Sequence, residues 1–162
     1  MTNYRATGKL VVKARSSVHD TTTVWDKITG DVDADPDAIE AAVAKFSVDM
    51  TSFDAGDWLK NRKLRKDFDL EGHPTATFQL VRVSEVVRDG AKFEAKAEGQ
   101  LQWRGKTVPL KLSGKGSLDA DRLTASATFD LDIKLLGLQP PKLFLFKVED
   151  VVTIEVTLTG SR

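Results

Sequence analysis

The side chains that could do chemistry in this sequence are two histidines, a serine pair and a run of cations. His19-Asp20, with Ser16 and Ser17 just upstream, has the residue types of an acid–base or metal site. No G-x-S-x-G elbow accompanies the serines. Two distant histidines without any cysteine cannot complete a zinc set unless carboxylates join them, so no metal and no cofactor are expected. His73 precedes Pro74, which biases it towards extended backbone at the start of a strand. The glycine-rich string SGKGS at 113–117 fits neither the P-loop nor the dinucleotide fingerprint, and it falls within a strand pattern.

The cations Lys60, Arg62, Lys63, Arg65 and Lys66, with Trp58 and Phe68 nearby, are the kind of patch that can contact phosphates. Asp54 and Asp57 precede them, while Asp67 and Asp69 follow closely. Acid at the start and base towards the end suits a short helix and its dipole. A solvated helix face is therefore expected, with Trp58, Leu64 and Phe68 anchoring it and no nucleic acid as partner.

The elements that must position these groups follow from composition and period. A chain of 162 residues is long enough to bury a core, and residues 1–162 are expected to form one domain. Lysine plus arginine balances aspartate plus glutamate at 24 each, so no global field draws the protein to a polyanion. Without cysteine, disulfides and thiol nucleophiles are excluded. The start, MTNYRATGKLVVKAR, has no apolar leader core, and no apolar run is long enough to span a bilayer. The expected compartment is the cytoplasm as the sequence stands, or the periplasm if a leader has been removed. No integral membrane contact is expected, and the protein should be a monomer or homodimer.

Period-two alternation dominates and argues for half-buried strands. In KFEAKAEGQLQWR (92–104), Phe93, Ala95, Ala97, Gly99, Leu101 and Trp103 share one face, and charged or amide side chains take the other. The pattern resumes through Val108, Leu110, Leu112, Gly114, Gly116 and Leu118, then through Leu123, Ala125, Ala127, Phe129, Leu131 and Ile133. The last strand carries Val152, Ile154, Val156 and Leu158 inward. Weaker alternation marks residues 4–15, 23–33, 43–51 and 75–88, the last with a phase change between Leu80 and Val81 that predicts a bulge. Residues 36–42 are expected to form one helical turn behind Pro36. About eight long strands joined by tight turns predict an all-β, eight-stranded antiparallel barrel, with a two-sheet sandwich as the alternative.

Register then suggests a site. With a two-residue turn at Gly105-Lys106, Ala97 faces Gly114 and Ala95 faces Gly116; across the next turn Gly114 faces Ala127 and Gly116 faces Ala125. A layer this small either is filled from elsewhere, or curves the sheet, or borders a cavity. In the cavity reading the ligand-binding candidates are Phe46, Phe78, Phe93, Ala97, Leu101, Trp103, Leu112, Gly114, Leu118, Ala127, Phe129 and Leu131. No polar group lies on these three inner faces, so a lipid tail suits the space better than a sugar or nucleotide. The loop LLGLQPPKLFLF (135–146) is expected to flank or cover the mouth.

VDMTSFDAGD (48–57), NRKLRKDFD (61–69), HPTATF (73–78) and the hairpin GQLQWRGKTVPLKL (99–112) resemble, in order and spacing, the YceI-like family, named for polyisoprenoid binding. ITGDVDADP (28–36) and VEDVVTIEVTLTG (148–160) extend the resemblance. It implies a lipocalin-like eight-stranded antiparallel barrel with a short helix between strands. It also implies an apolar interior for an isoprenoid or fatty-acid-like lipid, bound without catalysis. The segment departs from many members in lacking an acidic-x-His element after its arginine, where Lys63-Leu64 stand. Two other functions remain open: a small hydrolase or isomerase using His19 or His73 at the pocket, and a ligand-free stress-response or interaction module.

Overall fold

The computed structural model describes residues 1–16, 21–138 and 148–162. His19 and most of the loop expected at the mouth lie outside the described residues. The eight long strands are β1 (Thr2–Ser16), β2 (Thr21–Asp35), β3 (Ala38–Asp49), β5 (Thr75–Asp89), β6 (Lys92–Trp103), β7 (Lys106–Leu118), β8 (Arg122–Asp132) and β9 (Val148–Ser161). Each pairs antiparallel with the next, and β9 also pairs with β1, closing an eight-stranded barrel. A two-residue strand, β4 (Phe53–Asp54), adds to β2 through Val24 and Trp25, and the helix α1 (Trp58–Asp67) follows it. Closure gives every long strand two neighbours, although β7 and β8 meet over only part of their length.

Local chemistry sets the turns. Asp35 and Ala38 are partners across Pro36-Asp37, whose backbone is held by Asp37 N–H donating to the Asp35 carboxylate at 2.9 Å. The helical turn expected at 36–42 is therefore a tight hairpin turn, and Ala38–Ala42 belong to β3. Long-range pairing with β2 outweighs the local helical preference of that short stretch. The β6–β7 turn is made by Arg104-Gly105, not Gly105-Lys106: both residues have positive φ, 56° and 73°, as a primed two-residue turn requires.

This moves the β6–β7 pairing by two residues from the one expected. Ala95 faces Gly114, Phe93 faces Gly116 and Ala97 faces Leu112. A two-residue slip preserves which face each side chain takes, so the inner faces stand while the rows change. The β7–β8 register is as expected, with Gly114 opposite Ala127 and Gly116 opposite Ala125. The smallest row is thus Ala95, Gly114 and Ala127, next to Gly116 and Ala125. The phase change in β5 is a bulge between Leu80 and Arg82, with a second irregularity between Ser84 and Val87.

Two apolar clusters occupy the ends. At one, Tyr4, Ile39, Leu118 and Leu123 are buried together, and the Tyr4 hydroxyl donates to the Asp119 carbonyl of the β7–β8 turn. At the other, Leu64 of α1 is buried with Trp25, Met50, Phe53, Trp103, Leu131 and Val152. β7 and β8 pair only from Ser113 to Leu118 and from Leu123 to Thr128. Beyond that, a 3-10 turn, Ile133–Leu136, packs beside β7 and buries Ile133 and Leu136 in the same end cluster.

Candidate functional site: an apolar cavity inside the barrel

The barrel interior holds a cavity of about 380 Å³ whose wall runs from one cluster to the other. All twelve candidates from the sequence touch it: Phe46 on β3, Phe78 on β5, Phe93, Ala97, Leu101 and Trp103 on β6, Leu112, Gly114 and Leu118 on β7, and Ala127, Phe129 and Leu131 on β8. Leu118 belongs to the Tyr4 end, whereas Trp103 and Leu131 belong to the α1 end.

The glycines divide into filled and open positions. A Cβ at Gly99 would overlap the Phe78 ring, and one at Gly30 would overlap the Phe46 ring. These two phenyl rings stack at 6.5 Å between centroids, so large side chains from neighbouring strands fill that part of the small layer. At Gly116 a Cβ would strike the Thr124 carbonyl; here the missing side chain permits close backbone approach. Gly114 differs, because a Cβ there would meet only Ser126 O at 3.3 Å and Ala127 Cβ at 3.9 Å. The open volume therefore lies against Ala95, Gly114 and Ala127.

Further wall residues were not singled out from the sequence. β1 supplies Leu10, Val12 and Ala14, and β2 supplies Thr21, Thr23 and Trp25. Trp25 is hidden in the sequence because β2 changes phase. Gly8 pairs with Ile28 while Leu10 pairs with Trp25, so exposed Asp26 and Lys27 form a bulge between two inward runs. The Trp25 indole donates to the Met50 carbonyl at 3.2 Å, which satisfies its polar edge within the core.

α1 completes the wall with Lys60, Leu64 and Phe68, spaced i, i+4 and i+8 on one helical face. The Asp57 carboxylate caps the helix by accepting from Lys60 N–H at 2.8 Å, and the Phe68 N–H closes it onto the Leu64 carbonyl. Leu64 is buried and Phe68 packs against the core, but Trp58 does not anchor the helix: it is 68% exposed. It is the first helical residue, about 120° around the axis from Leu64, so the face that buries Leu64 turns it to solvent.

Polar groups reach the wall at this same end. Thr21 and Thr23 are buried at the start of β2, and Lys60 of α1 lines the cavity with them. Lys115 and Ser126 also touch the cavity, flanking Gly114 and Ala127. His73 is not on the wall. Its carbonyl accepts from the Trp103 indole at 2.9 Å, while its imidazole is 4.0 Å from Asp69 on the surface. The base expected for an enzyme at this pocket is thus not among the residues that line it. Among the described residues no group of three or more histidines and carboxylates could hold a metal.

A family model, the YceI-like domain, matches residues 5–160. The chain belongs to the YceI-like family. Its fold is shared with BcnA of Burkholderia cenocepacia, at a TM-score of 0.78 and 22% identity over 94% of this chain and 95% of that one. A polyisoprenoid binding domain from Saccharophagus degradans, implicated in plant cell wall breakdown, superposes with a TM-score of 0.73 at 15% identity, covering 98% and 97% of the two chains. The YCEI protein of Campylobacter jejuni gives 0.72 at 13% identity, covering 86% and 84%. No curated protein matches the chain. Among the described residues of this YceI-like barrel, no helix is long and apolar enough to cross a membrane.

Proposed function

We propose that residues 1–162 work as one barrel domain that binds a hydrophobic or amphiphilic lipid, isoprenoid-like in its chain, for carriage, storage or sequestration and without catalysing a reaction. The observation that carries this is the cavity of about 380 Å³, walled almost wholly by aliphatic and aromatic side chains. Its size falls in the roughly 300–1,000 Å³ range of small-molecule sites. With so few polar groups on the wall, affinity comes from buried area, about 0.8 kcal/mol per methylene. The threonines and lysine at the α1 end suit a polar head group there, with the chain running towards Gly114 and Phe93. The name of the Saccharophagus neighbour supports an isoprenoid as the first ligand to try.

The test is native mass spectrometry of the purified protein, with organic extraction to identify what is released. A co-purified isoprenoid or fatty-acid-like lipid, or stoichiometric uptake of one offered in detergent, is the expected result. A protein that carries no lipid and takes none up would overturn the proposal.

A further inference from the structure

α1 presents to solvent what a helix over a barrel ordinarily hides. Trp58 is 68% exposed and Leu59 is 47% exposed. With Lys60, Leu64 and Phe68 on the inner face, helical periodicity sets Leu59, Arg62 and Lys66 on the outer one, with Trp58 and Arg65 at its margin. Arg62, Arg65 and Lys66 are exposed and have no ion-pair partner among the described residues.

The acidic groups on and before the helix, Asp54, Asp57 and Asp67, are engaged locally. Asp54 accepts from Gly56 N–H and the Asn61 amide, Asp57 caps the helix and faces Lys60 at 3.9 Å, and Asp67 pairs with Lys63 at 3.2 Å. Asp69 and Glu71 lie beyond the C-terminus of the helix, with Asp69 turned to Gly72 and His73. Arg65 stacks its guanidinium over Phe53 at 5.6 Å, and Arg104 in the neighbouring turn donates to the Phe68 carbonyl. The outward surface of α1 is consequently cationic with an indole and a leucine at one end. That is the composition of a helix lying in the interface of an anionic bilayer.

Its place in the fold gives the surface a purpose. The inner side of the same helix is cavity wall, while Tyr4, Ile39, Leu118 and Leu123 are buried together at the opposite end of the barrel. We propose that α1 docks this end of the barrel on an anionic membrane surface, with Trp58 and Leu59 inserted at acyl-chain depth and Arg62, Arg65 and Lys66 at the head groups. The docking is peripheral, and it turns the wall that includes Lys60 and Leu64 towards the bilayer. That the bilayer also supplies the ligand rests on the function proposed above; the docking itself does not.

The experiment is flotation of the full chain with vesicles of phosphatidylglycerol and phosphatidylcholine against vesicles of phosphatidylcholine alone. Binding to the anionic vesicles, weakened in phosphatidylcholine and by raised salt, is expected. Trp58→Ser with Leu59→Ser, and Arg62→Glu with Lys66→Glu, should each lower the partition coefficient at least tenfold; loss of two interfacial cations alone corresponds to about thirtyfold. Both variants should still take up lipid from detergent. Failure of all forms, wild type included, to take up lipid would sink the carrier function and leave the docking standing. The docking is refuted if wild type does not float, if the variants float as wild type does, or if sedimentation shows a concentration-dependent dimer that Trp58→Ser breaks.

Discussion

Gly114→Leu offers the sharpest check on the cavity. A Cβ at this position meets one carbonyl at 3.3 Å and otherwise faces open space against Ala127, so the added side chain points into the void. Its four carbons displace about 120 Å³ if each takes roughly the ~30 Å³ of a liquid water. Set against a cavity of about 380 Å³, that is near a third of the room. A bound chain then loses the burial of about four methylenes, or about 3 kcal/mol, which is on the order of a hundredfold in Kd. Displacement of an environment-sensitive apolar fluorophore by the lipid measures this, with circular dichroism and the thermal midpoint confirming the fold. Gly116→Ala is the contrasting variant. Its Cβ strikes the Thr124 carbonyl, so it should cost about 1–3 kcal/mol of stability while adding only one carbon. Folded Gly114→Leu protein with unchanged affinity would refute the placement of the ligand beside the Ala95, Gly114 and Ala127 row.

The other expectations concern what holds the cavity's ends. Tyr4→Phe removes the hydroxyl that donates to the Asp119 carbonyl and should lower stability by about 1 kcal/mol, read from the urea midpoint with lipid uptake retained. Leu64→Ala empties a buried position of α1 and should cost about 2–5 kcal/mol; faster amide exchange confined to the helix would show whether it detaches first. Asp54 and Asp119 are held below the usual carboxylate range, Asp54 by Gly56 N–H and the Asn61 amide and Asp119 by the N–H groups of Asp121 and Arg122. A carboxyl whose folded pKa is depressed stabilises the fold above its unfolded pKa of about 4 and loses that contribution as pH falls through the folded value. The difference in thermal midpoint between wild type and the Asp54→Asn, Asp119→Asn double variant should therefore be present at pH 7 and shrink below about pH 4.

What was legible in the residues, and what was not, follows from how far each signal reaches along the chain. Alternation is a local property with a period of two, so the inner faces of β6 to β9 and every candidate from Phe93 to Leu131 could be read directly. Where a strand changes phase the same signal fails: Trp25 sits beyond the Asp26-Lys27 bulge, out of step with the inward run, although it lines the cavity and belongs to the core. The primed turn at Arg104-Gly105 lies one position from the expected one because a positive φ at an arginine is disfavoured on its own and is imposed by the pairing of the two strands it joins. Helical preference at 36–42 lost to sheet for the same reason.

By itself the sequence determined the all-β class, the face that each side chain takes and the family to which the order of motifs belongs. Those depend on neighbours two to a few residues away and on local turn chemistry. Only the tertiary structure decided which small residues border space. Gly99 and Gly30 are covered by Phe78 and Phe46 from adjacent strands, Gly116 is taken up by backbone, and Gly114 alone of these four is left open. It also decided that Trp58 lies outside the core, because one helix face can bury Leu64 or Trp58 against the barrel but not both. Empty volume and exposure are properties of what several distant segments fail to fill, and no local pattern encodes them.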